Sequence, residues 1–190
     1  MSMIGCFYAL KDEDLEALIA APKRIHLLWS KPQPPQSPSL LGRLFGGKPT
    51  TPTPQDNWQP SEPPTAFDVD KAWQGIHFLL TGSDWEGDGP LAFVLHGGRE
   101  IAEDLGYGSP HGFTSSEVKA IDAALQKIDP AALFERADPT EFTKHELYPD
   151  IWDKEPKEEC IGYVIDYLNG LKKFISETAQ SGRALIAYLG

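Results

Sequence analysis

Apolar residues recur along most of this chain at two spacings, strand-like and helix-like, and the two alternate. Ile4 to Ala9, containing Phe7 and Tyr8, predicts a strand. Asp12 stands at a cap position ahead of Leu15, Leu18 and Ile19, which share one helical face as far as Pro22. Ile25 to Trp29 suits either element. From Phe67 to Leu80, the residues Val69, Trp73, Ile76 and Leu80 make a stripe at helical spacing, with Asp68 as the expected cap and Thr81-Gly82 as the stop. Leu91 to Leu95 is a short apolar run between Gly89-Pro90 and Gly97-Gly98, which predicts a buried strand opening into a flexible turn.

Thr114-Ser115-Ser116-Glu117 is a capping box, in which hydroxyl and carboxylate satisfy amides left bare at a helix start. Val118, Ile121, Leu125 and Ile128 continue that helix as one stripe. Asp129-Pro130 and Asp138-Pro139 each set a capping aspartate before a proline at the first helical position, so two short helices follow in series. A long helix is expected from Pro156 to Ser181. On it Ile161, Val164, Leu168, Leu171 and Ile175 form one stripe, and Tyr163, Tyr167 and Phe174 form a second beside it. So broad an apolar face belongs at the centre of a core or along a dimer seam. Gly182 stops it, and Ala184 to Leu189 supplies a last strand, expected to pair with the first. The expected fold class is α+β: a small, mostly antiparallel sheet including both termini, packed by several helices with a long C-terminal one.

The periodicity fails between Lys31 and Pro64, where ten of 34 residues are proline. Loops beyond about 15 residues are uncommon inside compact domains. Residues 31–64 therefore read as a proline-rich loop insertion within a single domain of residues 1–190. Leu40, Leu41, Leu44 and Phe45 could close one amphipathic turn inside it, and Trp58 is a lone aromatic among polar neighbours. A loop with adhesive spots and a partner-binding motif both stay open.

With 190 residues, 41% of them apolar, the chain can bury a sizeable core. Lys and Arg number 17 against 28 Asp and Glu, a formal net charge of −11. That removes the electrostatic footprint for nucleic acid or an anionic membrane and leaves a basic protein partner open. No apolar run approaches the ~18 residues of a membrane span. Met1 to Cys6 has neither the basic start nor the apolar length of a secretion or lipid-attachment signal, so a soluble, cytoplasmic protein is expected. Cys6 and Cys160 stand far apart, with no neighbouring cysteine to hold zinc, and are expected to be reduced.

Taken together, several segments resemble the YfbM-like proteins, a bacterial family of unknown function. The resemblance runs through Met3-Ile4-Gly5, the helix from Lys71 through Trp73 and His77 to Gly82, the Gly97-Gly98 turn and Asp104-Leu105-Gly106-Tyr107-Gly108. It continues through Phe113 into the capped helix, Leu147-Tyr148-Pro149-Asp150-Ile151-Trp152 and the closing Ala184 to Gly190, leaving out residues 22–66. It implies an α+β domain with a small sheet and packed helices. It implies no reaction, because the family has no agreed activity or catalytic residues. The proline-rich segment departs from the compact members, so a function placed there would be this chain's own.

Histidine titrates near neutral pH and ligates metals, and His77, His96 and His111 all lie in the resembling core. His77 faces the buried side of its helix, as a core histidine or as a general base. His96-Gly97-Gly98-Arg99-Glu100 gathers an imidazole, flexible backbone, a guanidinium and a carboxylate at the end of an expected strand, either as a site or as a polar turn. With Glu103, Asp104, Tyr107 and His111 they make up a candidate pocket. In it His77 or His96 would be the base, Glu103 or Asp104 its orienting carboxylate and Arg99 an anion clamp. Tyr107 stands between Gly106 and Gly108 and is free to project; Trp73, Trp85, Phe113, Tyr148 and Trp152 are expected mostly in the core. No paired histidine or Glu-x-x-His spacing supports a metal, no phosphate loop is present, and neither Ser83, Ser109 nor Cys6 sits in a nucleophile motif. No cofactor is expected.

Charge is more informative than any motif. Six acidic residues face one arginine between Ser83 and Asp104, and nine face four basic ones between Glu135 and Glu159. Converging in space, these stretches would make an acidic surface that speeds association with a basic partner. The leading expectation is a binding protein, such as an inhibitor or immunity-type factor, that docks a basic protein through that surface and the Gly106 to Gly112 loop. A homodimer is allowed. The alternative is a small-molecule binder or enzyme with the His/Asp/Glu/Arg cleft. Acidic stretches on opposite faces would weaken the first; a fully satisfied His77 and an outward His96 would weaken the second.

Overall fold

The structure, a computed structural model, describes residues 2–29 and 58–190. Five strands form one sheet: β1 (Gly5–Leu10), β2 (Thr65–Asp68), β3 (Arg99–Glu100), β4 (His111–Phe113) and β5 (Ala184–Leu189). Their order is β2-β1-β5-β4-β3 and every pairing is antiparallel, with Phe7 opposite Ala187 and Tyr8 opposite Ile186. Both ends of the chain thus meet at the centre of the sheet, as expected.

Seven α-helices are described: α1 (Asp12–Ala20), α2 (Ile25–Trp29), α3 (Trp73–Thr81), α4 (Ser115–Leu125), α5 (Pro130–Arg136), α6 (Pro139–Lys144) and α7 (Lys157–Gln180). Alternate residues of the strands feed two separate cores. Phe7, Ala9, Leu185 and Ala187 join the large core under α3, α4 and α7. Leu10, Ala184 and Ile186 join a smaller one with Leu15 and Leu18 of α1, Ile25 of α2 and Ile101. Within the large core, Ile161, Val164, Leu168, Leu171 and Ile175 of α7 are all buried. Each such side chain contributes about 1.5–3 kcal/mol through burial, so α7 is the main support of the fold.

The capping box at Thr114 forms with both of its bonds, and Asp129 and Asp138 accept from Ala131 and Thr140 as their spacing predicts. Three expectations change. Asp12 does not cap its own helix; its carboxylate accepts from Ser115 N (2.8 Å) and Ser115 Oγ (2.6 Å), at the start of α4. Phe67 and Asp68 belong to edge strand β2, because Phe67 pairs with Phe7. The helical stripe therefore begins only after a 3-10 turn at Asp70–Ala72. Leu91 to Leu95 is no strand. Pro90 fixes helical backbone after Gly89, and a 3-10 turn over Pro90–Ala92 buries Ala92, Phe93 and Val94 consecutively. The short strands β3 and β4 take its place in the sheet.

At the mouth of the β3–β4 hairpin, Gly98 has φ +63, and a Cβ there would come within 2.4 Å of the Gly112 carbonyl oxygen. Only glycine fits both constraints. Most of the proline-rich segment expected as a loop insertion, including Leu40, Leu41, Leu44 and Phe45, lies outside the described residues. Residues 58–64 do not behave as a free loop end: Trp58 is half-buried against the smaller core, and Ser61 donates from N and Oγ to the buried carboxylate of Asp14.

Candidate functional site

The chemistry-bearing residues that do converge lie at the C-terminal end of α3. The helix stops at Gly82, and residues 83–89 fold back over its last two turns. Three successive carbonyls of this loop are taken by side chains. Gln74 Nε2 donates to Asp84 O (3.2 Å), His96 Nε2 to Trp85 O and His77 Nε2 to Glu86 O (3.0 Å). Because a carbonyl only accepts, each histidine carries its proton on Nε2, and in the neutral ring Nδ1 is a bare lone pair. The two rings meet edge to face, with centroids 5.7 Å apart. Gly87 allows the loop to lie this close: a Cβ there would stand 3.3 Å from His77 Cε1 and 3.0 Å from Ala92 Cβ.

His77 is fully buried and its Nδ1 finds no hydrogen-bond partner in the protein, nor does Nε1 of Trp73 one turn earlier. Burial holds the His77 imidazole below the ordinary histidine range; the Glu86 carbonyl opposes this, the nearby His96 adds to it, and Asp84 opposes it. A neutral ring with one satisfied and one bare nitrogen is the result.

Trp85 was expected in the core and is instead the most exposed large apolar side chain among the described residues, at 51%. Its ring rests on buried Trp73 (centroids 5.7 Å apart), and Trp73 stacks in turn on Tyr148 (5.9 Å). Gln74 couples the neighbouring segment, accepting from Tyr148 N (2.9 Å) while it donates to Asp84 O. His145, just after α6, packs on Phe78 and lies 4.0 Å from both Asp84 Oδ2 and Glu141 Oε2. The two acidic stretches therefore meet, at His145. Sequence reasoning missed His145, Gln74, Asp84 and the exposure of Trp85. The available signal was a tryptophan between two acids in a glycine-bounded turn.

Of the seven expected pocket residues, His77 and His96 come together, and His111 stands close behind, its Nδ1 donating to Gly97 O (2.9 Å). Of the other four, two are engaged elsewhere and two are exposed. Arg99 is exposed and ion-paired with Glu16 of α1. Asp104 accepts from the amides of Gly106 (2.6 Å) and Gly108 (2.8 Å) in its own turn, and these amides, Gly108 first, hold its carboxyl below the usual range. Glu103 is exposed, and Tyr107 is 37% exposed. Leu105 packs into the smaller core, whereas Trp85 rests on Trp73 of the larger one.

Concavities of about 390 and 460 Å³ occur at Lys11, Glu62 and Arg183 and along α7 beside Gln126 and Lys172; none of the seven residues lines either. Among the described residues no three His, Cys, Asp or Glu side chains are placed to share a metal ion, and no helix is long and apolar enough to cross a membrane.

No curated protein matches the chain in sequence. The crystal structure of a protein of unknown function, YfbM from Escherichia coli, superposes with a TM-score of 0.65 at 18% identity, covering 98% of this chain and 99% of that one. This bears out the α+β fold. The family model described as a domain of unknown function, DUF1877, matches residues 1–188, and the chain belongs to that family.

Proposed function

We propose that the chain is a protein-docking module whose contact surface is the Trp85 loop with the acidic residues around it, taking a basic segment of a partner protein. The carrying observation is Trp85, a half-exposed indole seated on Trp73 in a loop fixed through three successive carbonyls. A large apolar ring left in water on a rigid support has the form of an interface anchor. Asp84, Glu86 and Asp88 border it in sequence, and Glu141 lies beyond His145. Such a rim favours lysine and arginine on the partner, raises the association rate and weakens with salt. An inhibitor or immunity-type factor is a protein of this kind. The proposed surface leaves out the Tyr107 loop, whose Leu105 packs into the smaller core.

The enzyme alternative has less support. Its guanidinium is paired with Glu16 and its carboxylate Asp104 serves its own turn, so neither stands beside His77.

Native mass spectrometry of the protein purified from its own host, at low and high salt, tests the docking reading. A stoichiometric basic companion is expected, released by salt and bound at least about thirtyfold more weakly by Trp85→Ala. A companion that binds Trp85→Ala as tightly, or that survives high salt, would sink it.

A further inference from the structure

We propose that acid releases the Trp85 loop, the paired histidines His77 and His96 acting as the latch. The inference rests on the docking reading and adds regulation to it. Of the three side chains that hold carbonyls 84, 85 and 86, only Gln74 cannot titrate. Each histidine already uses its Nε2 proton on a carbonyl, so an added proton must go to Nδ1. On His77 that atom is buried with no acceptor, and the His96 ring stands 5.7 Å away. Protonation there would bury an unpaired N–H and a charge, and protonating both rings would set two like charges face to edge. Letting go of Glu86 O and Trp85 O returns both rings to water.

Charged groups on every side bear on this balance. In the loop, the Glu86 carbonyl and the Asp84 carboxylate favour the His77 imidazolium, while His96 opposes it; Asp88 of the loop and Glu141 on α6 are the other acidic groups of this region. His145 lies between Asp84 and Glu141, 4.0 Å from a carboxylate oxygen of each. Arg136 of α5 brings a cation to the end of α3, its guanidinium donating to Leu79 O. From α7 the nearest side chains to α3 are apolar, led by Val164 against Gly75. The sign follows from burial. His77 is held below its unfolded value, so its own hold on the loop is fully present above about pH 6.5. It is lost as pH falls through the lowered folded value.

Amide hydrogen exchange of residues 83–89, corrected for intrinsic rates, reads the latch directly between about pH 7.5 and about pH 5. Protection is expected to fall at least about tenfold, one unit of pKa displacement, while α7 keeps its protection. His77→Gln/His96→Gln, whose amides can donate the same bonds without titrating, is expected to stay closed. Protection unchanged in the wild type, or lost equally in the double variant, would overturn the proposal. Should that variant fail to fold, the NMR titration of His77 and His96 in the wild type decides: midpoints that coincide with loop opening support it, and midpoints that do not overturn it. Docking is read separately. A salt-sensitive companion that requires Trp85 and binds equally well at both pH values would sink the latch and leave docking standing; no companion at either pH would sink docking, while exchange would still report the latch.

Discussion

Gln74 shows how one side chain can organise the site. It is 3% exposed and satisfies two backbone groups from different segments, accepting from Tyr148 N and donating to Asp84 O. Gln74→Met keeps the volume and removes both bonds, leaving two polar groups unpaired. The expected loss is about 2–4 kcal/mol, read as a lower urea midpoint at unchanged slope; a loss below about 0.5 kcal/mol would mean the loops are held some other way. The thiols make a second prediction at this scale. Burial pushes Cys160 up first of all, against two backbone amides, and pushes Cys6 up against a bond to Tyr188. Since the thiolate is the nucleophile, both cysteines should resist alkylation in the native protein at neutral pH and react readily in urea. Fast alkylation of native Cys160, 1% exposed, would contradict this.

Elements decided by their own residues were legible in the sequence, and elements decided by a partner were not. The capping box of α4, the Asp-Pro starts of α5 and α6 and the twin stripes of α7 are local devices, and each appears as its spacing predicts. Strand β2 carries no such signal, since Phe67 is a strand residue only because Phe7 lies opposite. The run Leu91 to Leu95 has the same apolar content in a strand or a turn, and Pro90 decides it. The site divides likewise: His77 and His96 stand out by residue type, whereas Asp84 and His145 are 61 positions apart and only the fold joins them. Asp12 is the sharpest case, a cap residue that serves a helix 103 positions away. Asp12→Ala should cost about 1 kcal/mol through α4 rather than α1. In a double-mutant cycle with Thr114→Ala, which disturbs the same helix start, the two costs should not add. Additive costs would show that Asp12 acts independently of the capping box that starts α4.

For the molecule as a whole, the described end of the proline-rich segment, residues 58–64, carries an anchor. The anchor begins at Trp58, whose ring lies 6.0 Å from the Arg24 guanidinium. Ser61 then donates twice to Asp14, which is 4% exposed, and Glu62 bridges Lys11 (2.9 Å) and Arg183 (2.7 Å). These bonds tie α1 to the approach to β5 across the smaller core. Loop length itself matters little, since doubling a flexible loop costs only about 0.6 kcal/mol. Replacing residues 31–57 by a short Gly-Ser linker should therefore leave Tm within about 2 °C. Extending the deletion to residue 62 strands a buried carboxylate without its donors, at about 2–3 kcal/mol, or about 5–10 °C in a chain of this size. Removing that carboxylate too, by Asp14→Leu in the longer deletion, should recover part of the loss, because an apolar group costs less there than an unpaired charge. Differential scanning calorimetry of the three proteins separates the contributions. Equal losses in both deletions would place the stabilisation within residues 31–57, and no recovery with Asp14→Leu would mean that the strap acts through Glu62 and its two cations rather than through the buried aspartate.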